Sequence, residues 1–169
     1  MEIRFYHMQK RKATEALPPL LEKIVSQAMD VHIWVGKDQL KRTDNLLWGY
    51  DSTAFLPHRS IENSEMGQEE ASYTPVTLSI STTPPVAPDI TLYLNRFPEA
   101  EEIKKMAGNE SPQMICCLFD PMPDIVQKGR AFWRSMSDNS ETEEETRELS
   151  SHELSYWQET ARGGWKKKG

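Results

Sequence analysis

Glycine is missing from residues 1–35, and that absence bears on function at once. A phosphate held at the first strand–helix turn of an α/β protein relies on glycines, which let backbone N–H groups approach the anion. The corresponding turn here reads HMQKRKATEA. Gly36 follows a strand-like stretch, yet VGKDQLKR lacks the further glycines of a dinucleotide fingerprint, and there is no G-x-x-x-x-G-K-[ST]. The basic run Lys10, Arg11 and Lys12 reads as a solvated loop. G-x-S-x-G is absent as well, and no triad can be assembled from the scattered Ser and Asp residues. The four histidines, His7, His32, His58 and His152, show no H-x3-H pairing with a nearby carboxylate, so no zinc site is expected. His58 reads as a turn histidine satisfied by backbone contacts, with a role as a base the competing reading. No catalytic, cofactor-binding or metal residues are therefore assigned.

Cysteine is scarce: Cys116 and Cys117 stand side by side in QMICCLF. Neighbouring side chains of a strand point to opposite faces, so the pair suits neither an ordinary disulfide nor a shared metal. Buried, reduced thiols are expected. Positive charge is not in excess either. Twenty Lys and Arg against 26 Asp and Glu leave a net charge of −6, which opposes a general nucleic-acid binder. No apolar run approaches the length of a membrane span, and MEIRFYHM has no signal-like apolar stretch. The expectation is a cytoplasmic protein in a reducing compartment.

What is present alternates in type. Strand-like stretches cover Ile3–Met8, Val31–Val35, Pro75–Ile80, Ile90–Leu94 and Gln113–Phe119. Helical spacing of apolar residues predicts helices over 14–29, 38–49, 98–106 and 123–136, the first with Thr14 as N-cap and Pro18 and Pro19 in its first turn. Residues 60–73 read as a polar loop. The connections are mostly too long for hairpins, which predicts an α/β domain on a largely parallel sheet of about five strands, helices on both faces. The 169 residues suffice for a single domain over 1–169. One acidic segment, 137–153, is almost free of apolar residues and reads as a solvated insertion.

Two surfaces stand out. On a wheel of about 100° per residue, the last helix gathers Ile125, Gly129, Phe132 and Met136 on one face, the natural core side. Val126, Arg130, Trp133 and Arg134 share the adjoining flank without an acidic neighbour, while Lys128 projects away. That flank is either a solvated side with a half-buried Trp133 or an acceptor for an acidic peptide with an apolar anchor. The second surface is LLWGYDSTAFLPH, which puts Trp48, Tyr50 and Phe55 at a helix exit; it is either core or a docking face.

The motifs FYHM, LLWGYDSTAFLPH, QKGRAFWRSM and LSYWQETARGGWKKK, in this order and spacing, resemble the chi subunit family of bacterial DNA polymerase III holoenzyme. The resemblance implies a three-layer α/β/α, Rossmann-like fold without a catalytic role. It further implies a bridge from the clamp loader, through the psi subunit, to the acidic C-terminal tail of single-stranded-DNA-binding protein. Carried over by position, the tail site maps to Phe119, Val126, Arg130, Trp133 and Arg134; some members carry a lysine where this chain has Val126. The surface for psi, or for another clamp-loader subunit, maps to Phe55 with Trp48, Pro57 and His58 nearby. Contact with DNA is then only indirect. A small α/β hydrolase or nucleotide-binding enzyme is the competing reading, and it requires a deep polar pocket at the carboxyl ends of the strands. Direct nucleic-acid binding through Lys166, Lys167 and Lys168 is a weaker third, since terminal lysines are commonly a solvated tail.

Overall fold

The computed structural model describes residues 1–51, 55–62, 73–81, 83–84, 86–99, 102–103, 106, 112–137 and 152–169. The strands are β1 (Glu2–His7), β2 (Val31–Trp34), β3 (His58–Ser60), β4 (Val76–Ser79), β5 (Ile90–Leu94), β6 (Met114–Phe119), β7 (Glu153–Glu159) and β8 (Trp165–Lys167). Of these β2, β4, β5 and β6, rich in Ile, Val, Leu, Phe and Tyr, are buried along most of their length. Among the described residues they make one eight-stranded sheet in the order β3-β4-β2-β5-β6-β1-β7-β8. Every pairing is parallel except that of β7 with β8. Three helices with bounds within the described residues accompany it: α1 (Ala13–Ser26), α2 (Leu40–Gly49) and α3 (Pro123–Ser137).

Side chains alternate across each strand, so the central strands feed two separate apolar clusters. Met8, Ile33, Leu92, Cys116 and Leu118 join Leu17 and Leu21 of α1 and Leu47 of α2. Ile3, Phe5, Tyr93, Cys117 and Phe119 join Phe132 and Met136 of α3. Cys116 and Cys117 thus face opposite ways, both buried and free, and burial pushes the Cys116 thiol up to about 12, far from a nucleophile's range. Phe5 is fully buried and its ring meets those of Phe97, Phe132, Trp133 and Tyr156 at 5.2 to 6.4 Å.

Several expectations are corrected. Among the described residues the sheet has eight strands where about five were predicted. The extra three are β3, opened by His58, and the pair β7 and β8, where the sequence reading saw no strand. Helix α1 starts before Thr14, with Lys12 at the N-cap position, because the Ala13 N–H is held by Asp120 Oδ1 at 2.5 Å from the far end of β6. Pro18 and Pro19 consequently lie past the first turn. The helix also ends at Ser26 rather than Met29, since Ala28 takes a left-handed backbone with φ of 56°. Helix α2 begins at Leu40, later than predicted. The acidic segment is shorter than 137–153 at both borders: Ser137 ends α3 and Glu153 opens β7, and 138–151 lies outside the described residues. So does part of the predicted helix over 98–106, where Ile103 is fully buried.

Candidate peptide-binding cleft and aromatic patch

Helix α3 presents the face its periodicity predicts. Gly129, Phe132 and Met136 are buried, and a Cβ on Gly129 would come within 2.8 Å of Phe97 Cζ, so this position lets the helix seat closely. The adjoining flank opens on a cleft of about 510 Å3 lined by Arg130, Trp133 and Arg134 together with His7, Tyr156, Gln158, Lys168 and Gly169. Trp133 is half-buried, its ring held edge-on by Phe5 at 5.2 Å and Tyr156 at 5.8 Å. Arg130, Arg134 and Lys168 are exposed, and among the described residues no carboxylate pairs with them. The cleft therefore offers three cations around an aromatic floor, a combination suited to carboxylates carried beside an apolar group.

Two members of the expected set sit elsewhere. Phe119 is buried behind the cleft, its ring stacked on His7 at 5.0 Å and 10°; it is a back wall rather than a contact surface. Val126 packs against the α3-side cluster and does not line the cleft. Sequence reasoning missed His7, Tyr156, Gln158, Lys168 and Gly169. The parallel register aligns Phe119, His7 and Gln158 in one row and Cys117, Phe5 and Tyr156 in the next. The backbone pairs Tyr156 N–H to Gly169 O and Lys168 N–H to Tyr156 O then carry the chain end beside Trp133. The alternation of Leu154 and Tyr156 was the available signal.

The cleft's titratable groups are tuned by burial. Burial and the neighbouring Arg130 both hold His7 below the usual imidazole range. Burial raises the Tyr156 phenol, against an opposing pull from Arg130. Both rings are therefore neutral at neutral pH, and Tyr156 Oη lies 2.8 Å from His7 Nδ1.

The second surface is also assembled. Trp48 is 59% and Phe55 73% exposed, their rings 6.1 Å apart. His58 is buried beneath them, 4.6 Å from the Trp48 ring, and its Nδ1–H donates to the Leu56 carbonyl at 2.8 Å. It supports the patch as the backbone-satisfied histidine expected, and Pro57 is partly covered beside it.

At the carboxyl ends of β1 and β6 the backbone donors are taken up by carboxylates. At the carboxyl end of β1, the N–H groups of Gln9, Lys10 and Arg11 all point at Glu159 Oε2, at 3.0, 3.0 and 3.3 Å. Asp120 holds the first N–H of α1 and pairs reciprocally with Asn95. A phosphate arriving there meets two carboxylates instead of free donors. His32 does lie 2.9 Å from Ser79 Oγ, but Ser79 is wholly buried and His32 is 1% exposed, so no substrate reaches the pair. Among the described residues no group of three or more His, Cys, Asp or Glu is placed to hold a metal ion.

The family model described as DNA polymerase III chi subunit, HolC, matches residues 1–142. The match takes in Arg130, Trp133, Arg134 and the aromatic patch, and it stops short of β7 and β8. Among curated proteins no relative matches the chain at a significant level.

Proposed function

The chain belongs to the DNA polymerase III chi subunit family, and on that premise we propose a non-catalytic accessory subunit that links the clamp loader to the acidic C-terminal tail of single-stranded-DNA-binding protein. The observation that carries this reading is the cleft, where three cations that no carboxylate among the described residues pairs with surround Trp133 and Tyr156. The tail's carboxylates pair with Arg130, Arg134 and Lys168, and its apolar anchor rests on Trp133. The exposed Trp48 and Phe55 serve as the dock for a psi subunit or another clamp-loader protein. DNA is then reached only through these partners. The two clusters on alternate strand faces support a three-layer, Rossmann-like reading of one chi-like domain over 1–169, working in the cytoplasm. Among the described residues no helix is long and apolar enough to cross a membrane.

Calorimetric titration with the acidic tail peptide of the cognate single-stranded-DNA-binding protein tests the proposal. Binding in the micromolar range is expected, about −8 kcal/mol, and it weakens as salt rises because charge pairing contributes. Arg130→Ala costs roughly 1–3 kcal/mol of that binding, whereas Phe55→Ala leaves it intact and removes the clamp-loader partner from pull-downs. A peptide of verified sequence that fails to bind at low salt refutes the assignment of the cleft.

A further inference from the structure

His7 is 9% exposed and lines the cleft, and its ring is fixed on two sides. Phe119 stacks against its face at 5.0 Å, and Tyr156 Oη meets Nδ1 at 2.8 Å. The remaining ring atom, Nε2, is enclosed and has no hydrogen-bond partner. A buried polar atom left unpaired is destabilising, and such orphans are uncommon enough in folded proteins to need a reason. Here the reason lies in what the cleft receives.

A neutral imidazole carries one proton, and its position follows the partner of the other nitrogen. If Nδ1 donates to Tyr156, Nε2 is a bare acceptor and waits for a donor. If the Tyr156 hydroxyl donates to Nδ1, Nε2 carries the proton and waits for an acceptor. The surroundings decide between them. Arg130, Arg134 and Lys168 repel a cationic donor and attract an anionic acceptor, so the ligand the cleft selects is the one that needs Nε2–H. Arg130 and Arg134 are exposed and no carboxylate among the described residues pairs with them, so both are open to a peptide. Donation from the enclosed Nε2 requires the groups around it to move when that peptide binds.

We propose that His7 is a further recognition residue of this cleft, donating from Nε2 to a carboxylate of the bound acidic peptide, with Tyr156 as the positioning residue that fixes the tautomer. The inference rests on reading the cleft as an acidic-peptide site. It adds a neutral donor, its direction set by the stacked ring, to the charged groups that pair with carboxylates.

The test combines ring 15N spectra of His7 with affinity measurements on the full chain, using the acidic tail peptide as probe. The peptide is expected to move the His7 ring signals to those of an Nε2–H donor. His7→Phe, which keeps the stacking on Phe119, is expected to lower affinity about 3- to 10-fold. Tyr156→Phe is expected to lower it less and to leave the ring as a mixture of tautomers. Arg130→Ala separates the two ideas. Unchanged binding by Arg130→Ala and Arg134→Ala means the peptide does not occupy this cleft, and the functional reading fails. Loss of binding in those variants, with His7→Phe and Tyr156→Phe within twofold of the parent and the ring signals unmoved, overturns the His7 inference alone. Should His7→Phe lose its fold, the spectra and Tyr156→Phe still decide.

Discussion

Glu159→Gln probes the tie between the two ends of the chain. The parent carboxylate is enclosed, with its side chain 1% exposed. It accepts three backbone N–H groups on one oxygen and Arg11 Nε–H at 2.6 Å on the other. Burial alone would raise its pKa; the hydrogen bonds from Lys10, Gln9 and Arg11 outweigh it and lower the value from 4.5 to about 2. A lowering of that size corresponds to about 3 kcal/mol of folding free energy carried by the charged form. The folded value lies below the unfolded one, so this contribution is fully present above about pH 4.5 and is lost as the pH falls towards 2. The amide is isosteric but neutral, and one of its ends is a donor facing other donors. Urea denaturation should show the variant about 2–3 kcal/mol less stable at neutral pH, with the gap closing across the acid window. A gap below about 0.5 kcal/mol at neutral pH, or one that does not change on acidification, would refute the account of this carboxylate as the anion of a backbone nest.

Helix α3 supplies two further predictions. Gly129→Ala gains about 1 kcal/mol of helix propensity, but the new methyl meets Phe97, whose ring is wedged against Phe119 and Phe132; thermal unfolding should therefore show a net loss of about 1–2 kcal/mol. Phe132→Ala should destabilise by about 3–5 kcal/mol while Arg130→Ala leaves stability within about 0.5 kcal/mol, a contrast that denaturant titration reads directly.

The parts of the fold that were legible are those with local signals. Strand β1 alternates apolar and polar residues, β2, β4 and β5 are short stretches rich in β-branched and aromatic residues, and β6 is a continuous apolar run. The α3 wheel sorted Phe132 from Trp133 because one helix face is buried and the next is not. What stayed hidden depends on distant partners. Strand β7 reads ELSYWQE, with Ser155, Gln158 and Glu159 breaking the apolar pattern. Those polar groups are satisfied only in the folded chain: Ser155 Oγ accepts Trp157 Nε1–H at 3.1 Å, and Glu159 binds a turn some 150 residues away in sequence. The true start of α1 depends on Asp120, 107 residues beyond Ala13; local help comes from Glu15 accepting the Lys12 N–H at 3.4 Å, at an N-cap whose residue type gives no signal. Strand β3 has three residues, too few for a period. The cleft was half legible for the same reason. Two of its cations, Arg130 and Arg134, lie on one helix, whereas His7, Tyr156 and Lys168 come together only through the register of β1, β7 and β8.

The sheet order makes a last claim about how two partners are held. The aromatic patch sits where α2 runs into β3, at one edge of the sheet, and the cleft is built over β1 and β7 near the other. From β3 to β1 is five strand steps, about 24 Å at the usual spacing. The helices differ too, α2 packing with one apolar cluster and α3 with the other. No side chain named in one surface touches one named in the other. Sites so separated add within about 0.3–0.5 kcal/mol, so Phe55→Ala should leave tail-peptide affinity within about twofold, and Arg130→Ala should leave the clamp-loader partner's affinity equally unmoved. Paired titrations with each surface free and occupied measure this. A coupling above about 1 kcal/mol requires an element with two arrangements between the surfaces, and the parallel strands would then be a relay rather than a rigid spacer.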